Sequence, residues 1–167
     1  IAMAGEMLYL AGKGNIADCC AEAKQAITGG AGLRKLKEII ASQGGDPLVC
    51  DDYSRLPSGK DVGVFKAERD GFITGVDCSG YGRAVQILGA GRIRQNDGID
   101  YGAGILLLKK RGDTVKKGDI IARLFSNSHD GSEAVSILRE STFIGSQAPP
   151  ARRLILDRIE NEPAASV

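Results

Sequence analysis

Lys109 to Ser126, reading KKRGDTVKKGDIIARLFS, narrows the folding options of this chain more than any other stretch. Apolar runs at Ile105-Leu106-Leu107-Leu108 and Ile120-Ile121-Ala122-Arg123-Leu124-Phe125 flank a polar connector holding two glycines. Gly112 and Gly118 each supply a position where φ can be positive without a Cβ penalty. Val115, between them, can tuck an apolar side chain beneath the turn. Lys109, Lys110, Arg111, Lys116 and Lys117, interleaved with Asp113 and Asp119, keep the connector hydrated. The pattern predicts a glycine-punctuated β-turn-β unit within a compact β-rich module.

The bulk properties set outer bounds. A chain of 167 residues supports one domain or two small ones, and an apolar fraction of 43% suffices for a core. With 22 basic and 21 acidic residues the net charge is +1. That gives no polyelectrolyte signal, so neither nucleic acid nor an anionic membrane is expected as a partner. No apolar run approaches the roughly 20 residues of a membrane span. The opening IAMAGEMLYL lacks the basic segment and cleavage motif of a signal peptide. Cys19, Cys20, Cys50 and Cys78 form no Cys-x-x-Cys pair, and His129 is the one histidine. These residues do not make a zinc set or a disulfide framework; free thiols in a cytoplasmic protein and no metal are expected.

Ile1 to Leu10 reads as helix from its first residue, with Ile1, Ala4, Leu8 and Ala11 at helical spacing and no capping residue before them. The expectation is a chain that begins in mid-helix, as a fragment of something longer. Gly12-Lys13-Gly14 interrupts this helix. Asn15 caps a second across Ile16 to Ile27, ended by Thr28-Gly29-Gly30, and Leu33, Leu36, Ile39 and Ile40 line a third. Three short helices with narrow apolar faces need a partner surface. Residues 46–61 read as a connector, with Leu48, Val49, Tyr53 and Leu56 expected to pin it down.

Beyond residue 62 the period changes. Val62 to Ala67 and Gly71 to Val76 read as a strand pair turning at Arg69-Asp70-Gly71. A helix follows over about Tyr81 to Leu88, ended by Gly89-Ala90-Gly91-Arg92; a polar loop leads to the strand at Ile105. Ser132 is expected to cap a helix carrying Ala134, Val135, Ile137 and Leu138, and Leu154-Ile155-Leu156 reads as a last strand. The order β-β-α-β-β-α-β predicts an α+β fold with an antiparallel or mixed sheet, preceded by a helical segment. No internal repeat is found.

The chemical motifs are sparse. Gly80-Tyr81-Gly82 invites a dinucleotide reading, but Val85 stands where the third glycine belongs, and a tight strand-to-helix turn explains it better. No Walker phosphate loop exists, and Ser58-Gly59-Lys60 reads as a solvated turn. His129 lies in a polar loop without a second histidine and is expected to be an exposed imidazole; Cys78 is expected to be a buried or idle thiol. Glu68, Asp70 and Asp77 are expected to solvate the hairpin. The basic connector lacks an aromatic platform and reads as a wet turn. Gly89, Gly91, Arg92 and Asp97 carry more. Glycines at a helix end permit close backbone approach, Arg92 offers a planar donor fork suited to a carboxylate or phosphate, and polar loops often bind or move. A helix cap with a surface salt bridge explains the same residue types equally well.

An ordered set of motifs runs through the chain: Gln43-Gly44-Gly45-Asp46-Pro47, Gly71-Phe72-Ile73, Gly82-Arg83-Ala84, Leu88-Gly89-Ala90-Gly91-Arg92, Asp97-Gly98-Ile99-Asp100-Tyr101-Gly102-Ala103-Gly104 and Lys110 to Gly118. The set resembles the C-terminal third of a pyrimidine nucleoside (thymidine) phosphorylase, over about residues 1–160. The glycine bend alone also resembles biotinyl and lipoyl carrier domains, but the displayed lysine of a carrier, in a Met-Lys-Met or Asp-Lys-Ala setting, is missing. The resemblance to the phosphorylases implies residues 1–45 as the helical tail of an α/β catalytic domain, 46–61 as connector, and 62–167 as a mixed α/β C-terminal domain with a hammerhead-like β unit. It implies reversible phosphorolysis of a pyrimidine nucleoside in the cytoplasm by a homodimer, with phosphate as co-substrate and no redox cofactor. The family's phosphate- and base-binding segments match nothing here, so no catalytic residue is assigned, and an N-terminal remainder is the implied partner. Gly89, Gly91, Arg92 and Asp97 are then expected in a loop that closes the cleft. A non-catalytic binding or assembly module, and an AMP phosphorylase, are the alternatives.

Overall fold

The computed structural model describes residues 1–159. The chain forms two compact units, divided between Pro57 and Ser58.

The first unit is helical: α1 (Ala2–Leu10), α2 (Ile16–Thr28) and α3 (Ala31–Ser42), followed by two short 3-10 turns at Pro47–Cys50 and Tyr53–Arg55. The Asn15 side chain caps α2 by accepting from Asp18 N at 3.0 Å. α1 is the helix that the spacing of Ile1, Ala4, Leu8 and Ala11 predicts, and it approaches α2 closely at Gly5, where a Cβ would lie 2.3 Å from Cys20 Sγ. Only Gly5, Cys19 and Ala23 are buried in these helices, and α3 buries nothing. Leu33, Leu36 and Ile39 stand about half exposed. Of the expected apolar pins Val49 alone is half-buried, and ion pairs hold the connector as well. Lys37 Nζ meets Asp51 at 2.6 Å and Arg55 meets Asp46 at 2.7 Å, while Leu48, Tyr53 and Leu56 are exposed.

The second unit is α+β, with helices α4 (Cys78–Val85) and α5 (Ser132–Glu140) and strands β1 (Lys60–Lys66), β2 (Gly71–Val76), β3 (Gly104–Leu107), β4 (Thr114–Val115), β5 (Ile120–Ser126) and β6 (Thr142–Gly145). They form two antiparallel three-stranded sheets, ordered β1-β5-β3 and β4-β2-β6. The expected hairpin over residues 62–76 is therefore absent: β1 and β2 are both strands, but each belongs to a different sheet. β1 takes β5 as its partner, from Lys60 opposite Ser126 to Lys66 opposite Ile120. Among the described residues the last strand is Thr142–Gly145, and Leu154, Ile155 and Leu156 lie exposed outside any strand.

The glycine-rich connector explains why the first two strands part. Gly112 N donates to Ile73 O (2.8 Å) and Ile73 N to Asp113 O (3.0 Å). Gly118 N donates to Ala67 O (2.8 Å) and Ala67 N to Asp119 O (2.9 Å). Each turn is closed by its own aspartate: Asp113 accepts from Lys110 N at 2.8 Å, and Asp119 from Lys116 N at 3.0 Å. Lys110-Arg111-Gly112-Asp113 and Lys116-Lys117-Gly118-Asp119 are thus one turn used twice, a repeat too short to stand out in the sequence. Val115, between them, is 1% exposed in the core, as its position predicts. Lys117 N also donates to Asp70 at 2.7 Å, and Arg111 Nε to Thr74 O at 3.1 Å, so the basic connector is docked as well as wet.

The core comprises Phe65, Ala67, Ile73, Ala84, Leu88, Val115, Ile121, Ala122, Leu124, Ala134 and Leu138. α4 and α5 pack on one another. Gly80 lies in the first turn of α4, not in a strand-to-helix turn. A Cβ there would come within 1.9 Å of Ser141 Oγ, so the glycine serves close helix packing. Asp77 caps α4 through Ser79 N (3.0 Å) instead of solvating a hairpin. Ser132 is the first residue of α5, and Asp130 accepts its N–H at 2.9 Å. Thr142 Oγ1 donates to Leu138 O (2.7 Å) and accepts from Tyr81 OH (2.8 Å); burial raises the phenol's pKa despite that bond. Among the described residues no helix is long and apolar enough to cross a membrane.

Gly112 and Gly118 sit at φ 99° and 92° with open space around the absent Cβ. Replacing either with Ala should therefore cost backbone strain alone, about 1–3 kcal/mol. Urea denaturation should show similar losses for the two, since the turns are equivalent; a loss confined to one would show that they are not.

Candidate functional site

α4 does not stop at Val85. It widens into one π-helical turn over Gln86–Ala90, within which Gly89 swings to φ 103°. Such π turns recur at functional sites. A Cβ on Gly89 would meet Asp100 Cβ, Ser128 Oγ and His129 Cδ2 at ordinary contact distances of 3.4–3.5 Å, so it is the positive φ that favours glycine. The chain then leaves as an irregular loop and returns at Asp100, whose N–H donates to Gly89 O at 2.9 Å. That bond closes loop 89–100.

Inside the loop the polar groups organise one another. Asp97 Oδ2 accepts from Ile93 N (3.1 Å) and Arg94 N (2.7 Å), and Gln86 Nε2 donates to Arg92 O (2.5 Å). Gly91 is extended, at φ −146° and ψ 159°. The structure thus brings Gly89, Gly91, Arg92 and Asp97 into one loop with different tasks. Gly89 bends it and Asp97 shapes it from within. Arg92 is left exposed, and among the described residues neither its guanidinium nor that of Arg94 has a hydrogen-bond or ion-pair partner.

The foot of the loop is a knot of three chain segments. Asp100 Oδ1 accepts from Gly102 N (2.9 Å) and Asn127 Nδ2 (3.0 Å), while Asp100 Oδ2 accepts from Asn127 N (2.7 Å). These donors, the Asn127 backbone first, hold the Asp100 carboxyl below the usual carboxylate range. Asn127 Nδ2 also reaches Ser58 O at 3.2 Å. Gly102 and Gly59 lie backbone to backbone: a Cβ on Gly59 would lie 2.3 Å from Gly102 O, and one on Gly102 would lie 2.5 Å from Ser58 C. Beside them Ser126, 1% exposed, donates to Leu88 O (2.7 Å) and accepts from Ser128 N (3.2 Å) and His129 N (3.0 Å).

Sequence reasoning passed over Asp100, Asn127 and Ser126. The available signals were an aspartate two residues before a glycine and a Ser-Asn-Ser run directly after a strand, both habitual side-chain-to-backbone bonding patterns. His129 is exposed, as expected. Its ring borders a depression of about 400 Å³ lined also by Arg83, Gln86, Ile87, Ile93 and Glu133. Cys78 is exposed rather than buried, and all four cysteines are free. Among the described residues no group of three His, Cys, Asp or Glu side chains could hold a metal ion. The arrangement offers a shaped loop with an outward guanidinium, and no nucleophile-base pair.

The family described as "Pyrimidine nucleoside phosphorylase C-terminal domain" matches residues 72–144, from β2 to β6. The chain is 33% identical over 160 residues to a pyrimidine-nucleoside phosphorylase of Geobacillus stearothermophilus, covering 95% of this chain and 37% of that protein. It is 36% identical over 148 residues to one of Staphylococcus aureus strain USA300, covering 86% of this chain and 34% of that protein. The chain therefore spans about a third of the length of the curated relatives it matches.

Removing the Ser126 hydroxyl takes its buried donor from Leu88 O and an acceptor from the part-buried N–H groups of Ser128 and His129, so Ser126→Ala should cost about 1–3 kcal/mol by denaturant unfolding. Asp100, with its folded pKa depressed, contributes stability that is present above its unfolded value of about 3.9 and is lost as pH falls through the lowered folded value. Asp100→Asn should flatten that acid limb while leaving its shape near neutrality; an unchanged pH–stability profile below pH 5 would contradict the assignment.

Proposed function

We propose, taking as premise that this chain is a C-terminal portion of a pyrimidine nucleoside phosphorylase, that it serves phosphate-dependent cleavage of a pyrimidine nucleoside. Phosphate attacks C1′ of the pentose, the glycosidic bond breaks, and the products are the free base and a pentose 1-phosphate. The parent is then a pentosyltransferase working as a cytoplasmic homodimer without a redox cofactor. Residues 1–45 form the tail of its catalytic domain, 46–61 the connector and 62–167 the C-terminal domain. The observation that carries the reading is the kinship over nearly the whole chain, with the matched domain enclosing both glycine turns and loop 89–100.

In this reading the chain's part is scaffold and closure. Its described residues hold no nucleophile-base pair, and the groups that bind phosphate and base belong to an N-terminal remainder. Loop 89–100, shaped by Asp97, brings Arg92 to the cleft as it closes. A guanidinium fork suits the oxygens of a phosphate or a carboxylate on the opposite wall. Closure excludes water, which favours attack by phosphate over hydrolysis.

The test is release of uracil or thymine from uridine and thymidine by the complete enzyme that carries this chain. Release that requires phosphate is expected, with no turnover from the 167-residue chain alone. Phosphate-independent release, or none from either nucleoside, would refute the reading. Arg92→Ala in the complete enzyme should lower kcat with little change in melting temperature; unchanged kinetics would remove Arg92 from the closure step.

A further inference from the structure

Beyond the π turn that starts it, loop 89–100 has no strand or helix to fix its direction, yet its backbone polar groups are met at several points. Its foot carries the densest bonding. One carboxylate, Asp100, takes three donors, two from Asn127 on another segment and one from Gly102 two residues on, and its backbone N–H closes the loop onto Gly89. Asn127, which supplies two of those donors, also bonds Ser58 O. Gly102, which supplies the third, lies against the Ser58–Gly59 backbone with no room for a side chain. The loop foot, the end of β5 and the first residues of the second unit are thereby one hydrogen-bonded body. Arg92 and Arg94 project from the far part of the same loop.

We propose that Asp100 is the positioning residue of loop 89–100, holding its foot on Asn127 and on the Ser58–Gly59 backbone so that Arg92 is presented in one preformed orientation. The proposal rests on the phosphorolysis reading and assigns Asp100 no contact with substrate. Asp100 acts through Arg92: without the clasp, the loop keeps its Asp97-shaped tip but loses its aim. Misplacing a positioning group by about 1 Å can cost on the order of 10²-fold in rate. The substrate-binding groups lie elsewhere, so the loss falls on kcat and leaves KM nearly unchanged.

The test uses Asp100→Asn and Asn127→Ala in the complete enzyme, with two readouts. Asparagine at position 100 keeps the shape but turns one acceptor into a donor that opposes the donors around it. Alanine at 127 removes the side-chain bonds to Asp100 and Ser58 and leaves the backbone bond. Both variants should lower kcat by about 10- to 10²-fold per folded enzyme, and the peptide spanning residues 91–101 should exchange its amide hydrogens faster. If kcat stays within about twofold of wild type in both single variants, the positioning role is overturned. If activity falls only in proportion to folded protein, with unchanged exchange in the loop, Asp100 is structural and the proposal also fails. A wild-type enzyme without phosphate-dependent cleavage overturns the phosphorolysis reading and the positioning role with it. In that case the exchange data still report whether the clasp holds the loop.

Discussion

Two copies of one turn organise the second unit. At each, a glycine N–H and an aspartate C=O clamp both backbone groups of a single residue, Ile73 at one and Ala67 at the other. Ala67 follows the last residue of β1, whereas Ile73 lies within β2, in the other sheet. The connector between β3 and β5 is therefore what ties the two sheets together, since no strand is shared between them. With both ends clamped, Val115 is carried into the same core cluster as Ile73, Ile121 and Leu124. Each clamp replaces backbone groups' bonds to water by bonds to protein, so its net value is modest, about 0.5–1.5 kcal/mol per bond. Its effect is geometric: it fixes which residues face inward.

Features set by a few adjacent residues were legible in the sequence. Asn15 was read correctly as a cap because a side chain and an N–H three residues on suffice. Gly112, Gly118 and Val115 were read correctly because a positive φ and a flanked apolar residue are local facts. Strand pairing is not local. Residues 62–76 look like a hairpin because two β-prone runs flank Arg69-Asp70-Gly71, but Ala67 is already bonded to Asp119 and Gly118, more than forty positions on. The apolar run at Leu154 misled for a related reason: composition alone does not say whether a run pairs, and Leu154, Ile155 and Leu156 join neither sheet.

The candidate loop shows the same division. Its glycines and Arg92 stood out by residue type. Asp100, which the sequence showed only as one member of a longer motif, could be ranked only once Asn127 and Gly102 were seen converging on it. Asp97 has a task that its residue type did not announce, since its oxygen faces the loop's own N–H groups. A carboxylate committed to backbone donors shapes a surface rather than recognising a ligand, which leaves the guanidinium of Arg92 as the group with chemistry still to offer.

The contact between Gly59 and Gly102 has an evolutionary corollary. Most tight side-chain contacts can be relieved by shrinking the neighbour, so the two positions drift together over time. Here each absent Cβ would strike the other segment's backbone, and no replacement at the neighbouring position creates space. Neither glycine has a compensating partner to change with. Lineages that lose one must shift a main-chain segment instead, and the segment that would shift is the base from which the arginine-bearing loop springs.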